Sequence, residues 1–384
     1  MAKKKMMHIW LYHAFLLVLQ LIMRLTMKKT CRHLLLTALF SIGTVAYGQD
    51  AMSVKPTKAW SHLDLSLTTG STGLGLDVSM PISNVFSVRG GYAFMPHFTH
   101  TMHFGVEVGD DPDLSQQRFD KLAGLLEGLT SNKVDNVVDV VGKPTYWNWK
   151  LMVDMKPFRN KHWHLTAGVY YGSREVAQAV NAIEEMPSLM AVSIYNNMYY
   201  RVQNGDPMMV VGEMAFDIPE IRDKINEWGK MSILIGEYSH DVPYKEDVVN
   251  SKGEFIDDEY YPAGTYVYHR ANDPDDPQYR TGDPYRVVPD ENSMVKAWAY
   301  ANRLKPYLGF GYGGRLLKND DSWQVSFDCG AMFWGGVPEI IMHDGTDLVN
   351  DVQNVRGKVG DYVDIIKKIK FFPVLNLRIT KRLF

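Results

Sequence analysis

The side chains with chemistry to offer in this chain are histidines and opposed charges. His97, His100 and His103 recur at intervals of three. On a helix or loop such imidazoles could converge on a transition metal, whereas on a strand the spacing splits them between faces. His162 and His164 share one face of any strand they occupy. A larger set is Asp64, Asp77, Asp154 and Asp328 against Arg89, Lys150, Arg378 and Arg382. Four groups of each sign suit a dry enclosure, where a charge is tolerated only when paired and hydrogen-bonded. Nucleophilic chemistry has little to draw on: the cysteines are Cys31 and Cys329, too few for a disulfide framework or a Cys-based zinc site. Gly309, Gly311 and Gly313 alternate with Leu308, Phe310 and Tyr312, which is a strand face and not a phosphate loop. The expectation is no catalytic residue, no metal and no cofactor.

The elements that would position these groups are strands. Period-2 alternation marks a half-buried strand, and it recurs eight times. Leu63, Leu65 and Leu67 oppose Asp64 and Ser66; Leu74, Leu76 and Val78 oppose Asp77; Phe86, Val88 and Tyr92 oppose Arg89. Trp147, Trp149, Leu151 and Val153 oppose Lys150 and Asp154, and Trp163, Leu165, Ala167, Val169 and Tyr171 oppose His164 and Tyr170. The stretch around Phe310 is the sixth. Trp323, Val325, Phe327, Cys329 and Phe333 oppose Asp328, and Leu375, Leu377 and Ile379 oppose Arg378. Strands of about 9–11 residues suffice to cross a bilayer at a tilt. Tight links at 81–84, 156–161 and 317–322 alternate with long excursions at 96–145, 173–304 and 335–370. Trp147, Trp149, Trp163, Tyr171, Trp323 and Phe333 lie on the apolar face, where an interfacial aromatic girdle would sit.

The first 48 residues hold seven of the 41 Lys and Arg and no Asp or Glu. Removing those seven leaves 34 basic against 44 acidic residues, a net charge of −10 that argues against nucleic acid as a partner. Met27 heads a short basic stretch, an apolar run over 34–45 and small residues at Ala46 and Gly48, which is the grammar of a signal peptide over 27–48. The region 1–48 is therefore expected to be a targeting device, with translation starting at Met27, and 49–384 the exported body.

With export, alternation and a terminal strand in place, the sequence resembles the small eight-stranded outer-membrane β-barrel proteins of Gram-negative bacteria, the OmpA/OmpX/OmpW-like group. The resemblance rests on Asp154-Met155-Lys156-Pro157-Phe158, on Leu165-Thr166-Ala167-Gly168-Val169-Tyr170-Tyr171, and on 373–384, and covers about a third of the chain. It implies an antiparallel up-and-down transmembrane β-barrel of eight strands, ten being possible, with long, partly helical outer loops. It further implies outer-membrane lipid around the barrel and the barrel-assembly machinery reading Phe384 on the last strand. Phe384 is in phase with Arg378, Thr380 and Arg382, not with the apolar set, and a bulge near Lys381 would restore its phase. Some such barrels are lipid hydrolases with a His-x-Ser pair; no His after residue 50 is followed two positions later by Ser.

Helical spacing predicts helices over 118–129, 174–186 with Ser173 as N-cap, and 217–229, the last stopped by Gly229. Segments 231–238 and 264–270 read as strands, either raising the barrel to ten or forming a hairpin above the membrane, which is the favoured expectation. Residues 240–292 are rich in Asp, Glu, Pro and Tyr and are expected to offer an outer ligand or a protein partner a surface. An eight-stranded barrel is just wide enough for side chains to fill. The functional expectation is a non-enzymatic outer-membrane barrel closed by ion pairs, with loops for binding or envelope structure. A lipid-modifying barrel enzyme and a channel for small hydrophobic molecules stand as alternatives.

Overall fold

The computed structural model describes residues 59–384 other than 97, 110, 131–132, 159, 244–246, 250–254, 257–265, 269–276, 318–319 and 369–370. Residues 1–48, where the signal peptide is expected, His97 and about half of the acidic stretch 240–292 lie outside the described residues.

Alternation becomes a barrel because nearly all the polar residues of these strands have the same side to turn to. The strands are β1 (Asp64–Gly70), β2 (Gly73–Pro81), β3 (Phe86–Phe94), β4 (Trp147–Met155), β5 (Trp163–Gly172), β6 (Leu304–Leu317), β7 (Asp320–Phe333) and β8 (Phe371–Arg382). Each pairs antiparallel with the next, and β8 closes on β1, so the sheet has no edge. The barrel has eight strands, not ten. Between β1 and β8 the register runs without a shift from Asp64 opposite Arg382 to Gly70 opposite Asn376. The bulge expected near Lys381 is therefore not formed: Lys381 stands on the outer face over the Trp323 ring at 4.8 Å, and Phe384 lies past the end of β8, exposed.

All the long connections leave from one end of the barrel. The link 71–72 also lies at that end, yet it is a tight turn, held by the Ser71 hydroxyl and amide donating to the Pro373 and Leu375 carbonyls. Gly73 has φ +85°, and a Cβ there would stand 2.1 Å from the Phe94 carbonyl oxygen, so only glycine fits this corner.

The three excursions build one body between them. Its main sheet takes strands from each, in the order Pro284–Val287, Met231–Tyr238, His100–Val108, Val137–Pro144, Glu175–Asn181, Lys296–Tyr300 and Glu339–Met342. Three helices, α1 (Pro112–Thr130), α2 (Met186–Gln203) and α3 (Pro219–Trp228), are joined by α4 (Gly357–Lys368). Leu122 and Leu126 of α1, Leu189 and Tyr195 of α2 and Ile225 of α3 meet Val106, Val108, Met231 and Ile233 of the sheet in a single apolar core. This cap is a packed body with a core of its own, more than a set of loops.

Two expectations are corrected here. The stretch 174–186 is not one helix: Glu175–Asn181 is a strand paired on both sides, a short 3-10 turn follows, and the helix begins at Met186. Two flanking strands offered Val176 and Val180 a pairing that local helical spacing could not reveal. Met231–Tyr238 does not form a hairpin with 264–270; it lies inside the cap sheet between Pro284–Val287 and His100–Val108. Tyr266–Tyr268 pairs instead with Asp247–Val249 in a separate three-stranded sheet. The helix expected over 217–229 forms as Pro219–Trp228, with Pro in its first turn and Gly229 at φ +77° after its last.

Candidate functional site

The described chain presents its densest chemistry inside the barrel, layered from the open end to the cap. Because β3, β4, β7 and β8 carry Arg89, Asp154, Asp328 and Arg378 at similar heights, alternation alone brings them into one layer. Arg89 donates to both oxygens of Asp154 at 3.1 and 3.0 Å, and its guanidinium also lies 3.5 Å from Asp77 and 3.8 Å from Asp328. Arg378 is 3.3 Å from Asp328 and 3.5 Å from Asp154. Lys150 reaches Asp77 at 2.7 Å and donates to the Thr68 hydroxyl, while His164 Nε2 is 2.7 Å from Asp328. Three carboxylates thus face two guanidiniums and a lysine in a layer where Asp77 is fully buried. Asp64 and Arg382, 3.7 Å apart, stand nearer the open end and outside that layer.

Towards the cap an apolar layer follows, made by Tyr146, Met152, Tyr170, Tyr307, Met332 and Val374. Tyr170 and Tyr307 meet edge to face at 5.6 Å. Burial pushes the Tyr146 phenol well above its ordinary pKa and keeps it neutral; its hydroxyl lies 3.7 Å from the Met332 sulfur. Above this layer, Lys305 is fully buried and donates to the Asn148 side chain and the Ser173 carbonyl.

Glycine makes the room. A Cβ on Gly309 or Gly330 would come within 2.5 Å of the Tyr307 hydroxyl, and one on Gly311 would collide with His164 and Asp328 at 2.4 Å. The glycine face that left space for a lateral opening is occupied by its neighbours' side chains. None of the apolar layer was named from the sequence as a site. Extending the phase of Leu308 and Phe310 back along β6 would have placed Tyr307 and Lys305 inside, and Tyr170 was already assigned to the polar face.

The outer face is the reverse. Trp149 is 59% exposed, Leu151 58% and Leu67 58%, and Trp147, Trp163, Tyr171, Phe310, Phe327 and Leu377 are exposed with them. Trp147 stacks with Tyr92 and Phe333 packs on Phe371 near the cap end, while Trp163 and Trp323 lie at the other end. His100 and His103 fall within one strand; His103 pairs with Asp139 and His100 abuts Tyr362, so the two do not converge. Among the described residues there is no group of His, Cys, Asp or Glu able to hold a metal.

At the end away from the cap the lumen opens into a vestibule of about 370 Å³. His62, Lys156, Lys161, His162, Arg315 and Arg382 line it, with Asp154 and Arg378 at its floor.

No family model matches the chain, and no curated protein does either. Among solved structures the chain is similar to CarO2 of Acinetobacter baumannii at 12% identity and a TM-score of 0.33, over 85% of this chain and all of that one. It is also similar to CarO of the same organism at 13% identity and a TM-score of 0.30, over 83% and 96% of the two chains.

Proposed function

We infer that this chain is an outer-membrane barrel that crosses the lipid with β1–β8, holds the cap outside the cell and turns the short-link end towards the periplasm. One observation carries this reading: a belt of exposed Leu, Val, Trp, Tyr and Phe surrounds a lumen of paired charges. Soluble proteins rarely expose continuous apolar surface beyond a few hundred Å², and a barrel spares the bilayer any unpaired backbone. Among the described residues no helix is long and apolar enough to cross a membrane.

The interior favours a closed, non-enzymatic body over a pore. The ionic layer and the Tyr–Met layer stack across the lumen, and the glycine slots are filled. The cap, with its own core, is the part built for binding or for envelope structure, and Pro284–Val287 of the acidic stretch lies in its sheet. The lipid-modifying and hydrophobic-channel alternatives have no observation in their favour.

Heat-modifiable gel migration of membrane-extracted protein tests the barrel. A boiled sample is expected to migrate differently from an unboiled one. Protein that stays monomeric in buffer without detergent would refute the reading. Planar-bilayer recordings should lack large stable currents, and the lipid-A mass spectrum should be the same with and without the gene.

A further inference from the structure

The vestibule carries a charge surplus that the ionic layer does not use. In that layer Asp77, Asp154 and Asp328 balance Arg89, Lys150 and Arg378, so its charges are committed to one another. Outside it, the mouth holds Lys156, Lys161, Arg315 and Arg382; Asp64 opposes them at the mouth, and Asp154, already paired with Arg89 and Arg378, lies at the floor. Arg315 is satisfied by Asp321 at 2.8 Å. Arg382 Nε, 3.7 Å from Asp64, is buried without a hydrogen-bond partner. Lys161 donates to the Lys156 carbonyl, a neutral acceptor. Lys156 Nζ has neither a hydrogen bond nor an ion pair among the described residues. Burial draws its pKa below the ordinary lysine value, with Asp154 and Asp64 countering and Arg378 and Lys161 adding to the effect.

Lysine and arginine heads carry donors and no acceptors. A half-buried cavity of about 370 Å³ with two surplus cations and an orphaned guanidinium N–H is complementary to an acceptor-only anion. The geometry points to a binding site for a phosphate-class oxyanion in the vestibule, with Lys156 and Lys161 as its charge partners and Arg382 Nε as a directional donor. The site faces away from the cap and rests on the barrel reading only for its side of the membrane. Two sources share the chemistry: free phosphate, and the phosphodiester headgroup of a lipid lying against the barrel rim.

The test uses the full mature chain refolded in a nonionic, phosphate-free detergent. Inorganic phosphate and short-chain phosphatidylglycerol are titrated separately and followed by phosphorus NMR line broadening. Saturable binding of at least one is expected, weakened ten-fold or more in the Lys156→Gln/Lys161→Gln double variant. Lys156→Arg, which keeps the charge, should bind as the native protein does, and Arg315→Gln should change binding less than three-fold. Phosphate binding alone would assign a soluble anion; binding of phosphatidylglycerol alone would assign the headgroup. Absence of saturable binding by either probe, or a double variant that binds as tightly as the native chain, would overturn the proposal. Gel migration of the same samples separates the two readings. An intact heat shift without binding removes the site alone, and binding without a heat shift removes the membrane barrel alone.

Discussion

Replacing Asp154 with Ala probes the paired interior most directly. Its carboxylate accepts two hydrogen bonds from Arg89 at 3.0 and 3.1 Å and one from the Thr166 hydroxyl at 2.6 Å, and it lies 3.5 Å from Arg378. Without it, Asp77 and Asp328 face Arg89, Lys150 and Arg378 in a layer that solvent scarcely reaches. Removing one partner of a buried ion pair leaves an uncompensated charge and costs about 3–5 kcal/mol. Asp321→Ala is the matched control: its pair with Arg315 is as short, at 2.8 Å, but both side chains are more than 60% exposed, and such pairs contribute about 0–1 kcal/mol. The double variant Arg89→Met/Asp154→Leu removes one charge of each sign, so it should cost less than Asp154→Ala alone. Reversible urea unfolding of the refolded protein in vesicles, followed by tryptophan fluorescence, reads all three variants, with the midpoint shifting at constant slope. The reasoning fails if Asp154→Ala lies within about 1 kcal/mol of Asp321→Ala, or if the double variant is the least stable of the set.

Three further perturbations address other parts of the molecule. Gly311→Val would push a side chain into His164 and Asp328; a loss of about 1–3 kcal/mol or more in the same urea assay is expected, and native-like stability would mean the slot is not filled. Leu126→Ala, in the fully buried heart of the cap, should cost the cap about 2–5 kcal/mol by near-ultraviolet circular dichroism. The barrel's heat-dependent gel shift should persist in that variant; its loss would show that cap and barrel fold as one unit. Glu185 has its carboxyl pKa raised by burial first and then by Asp139, Asp135 and Glu184. A raised acid pKa favours the folded state at low pH and weakens it progressively as pH rises above the ordinary value of 4.5. Glu185→Gln should therefore raise the cap's melting temperature at pH 7, by no more than about 1 kcal/mol in stability because the site is largely solvated, with no gain at pH 4; a gain at pH 4 equal to that at pH 7 would contradict this.

The chain's barrel was legible because its signal is local. A two-residue period fixes which side chains share a face whatever the strand's neighbours, so Asp77, Arg89, Lys150, Asp154, His164, Asp328 and Arg378 could be gathered on one side from the sequence alone. Their pairing could not be read there. That Arg89 serves three carboxylates follows from strand stagger around a closed sheet, and stagger is set by turns and closure together. The helix of Pro219–Trp228 was likewise legible, since its apolar spacing, Pro start and Gly stop all lie within one window.

The cap escaped sequence reading for the opposite reason. Glu175–Asn181 gains its strand character, and Met231–Tyr238 its place in the sheet, from partners more than 30 residues away, and no local period announces such a partner. By itself the sequence determined the alternating faces, the eight barrel strands and the end at which long chain accumulates. Only the tertiary structure decided that three separate excursions merge into one sheet with one core, that Tyr307 fills the space two glycines leave, and that Lys156 faces an open vestibule with no hydrogen-bond partner among the described residues. Those outcomes depend on which distant backbone donors meet and which volumes remain after packing, and both are properties of the closed chain.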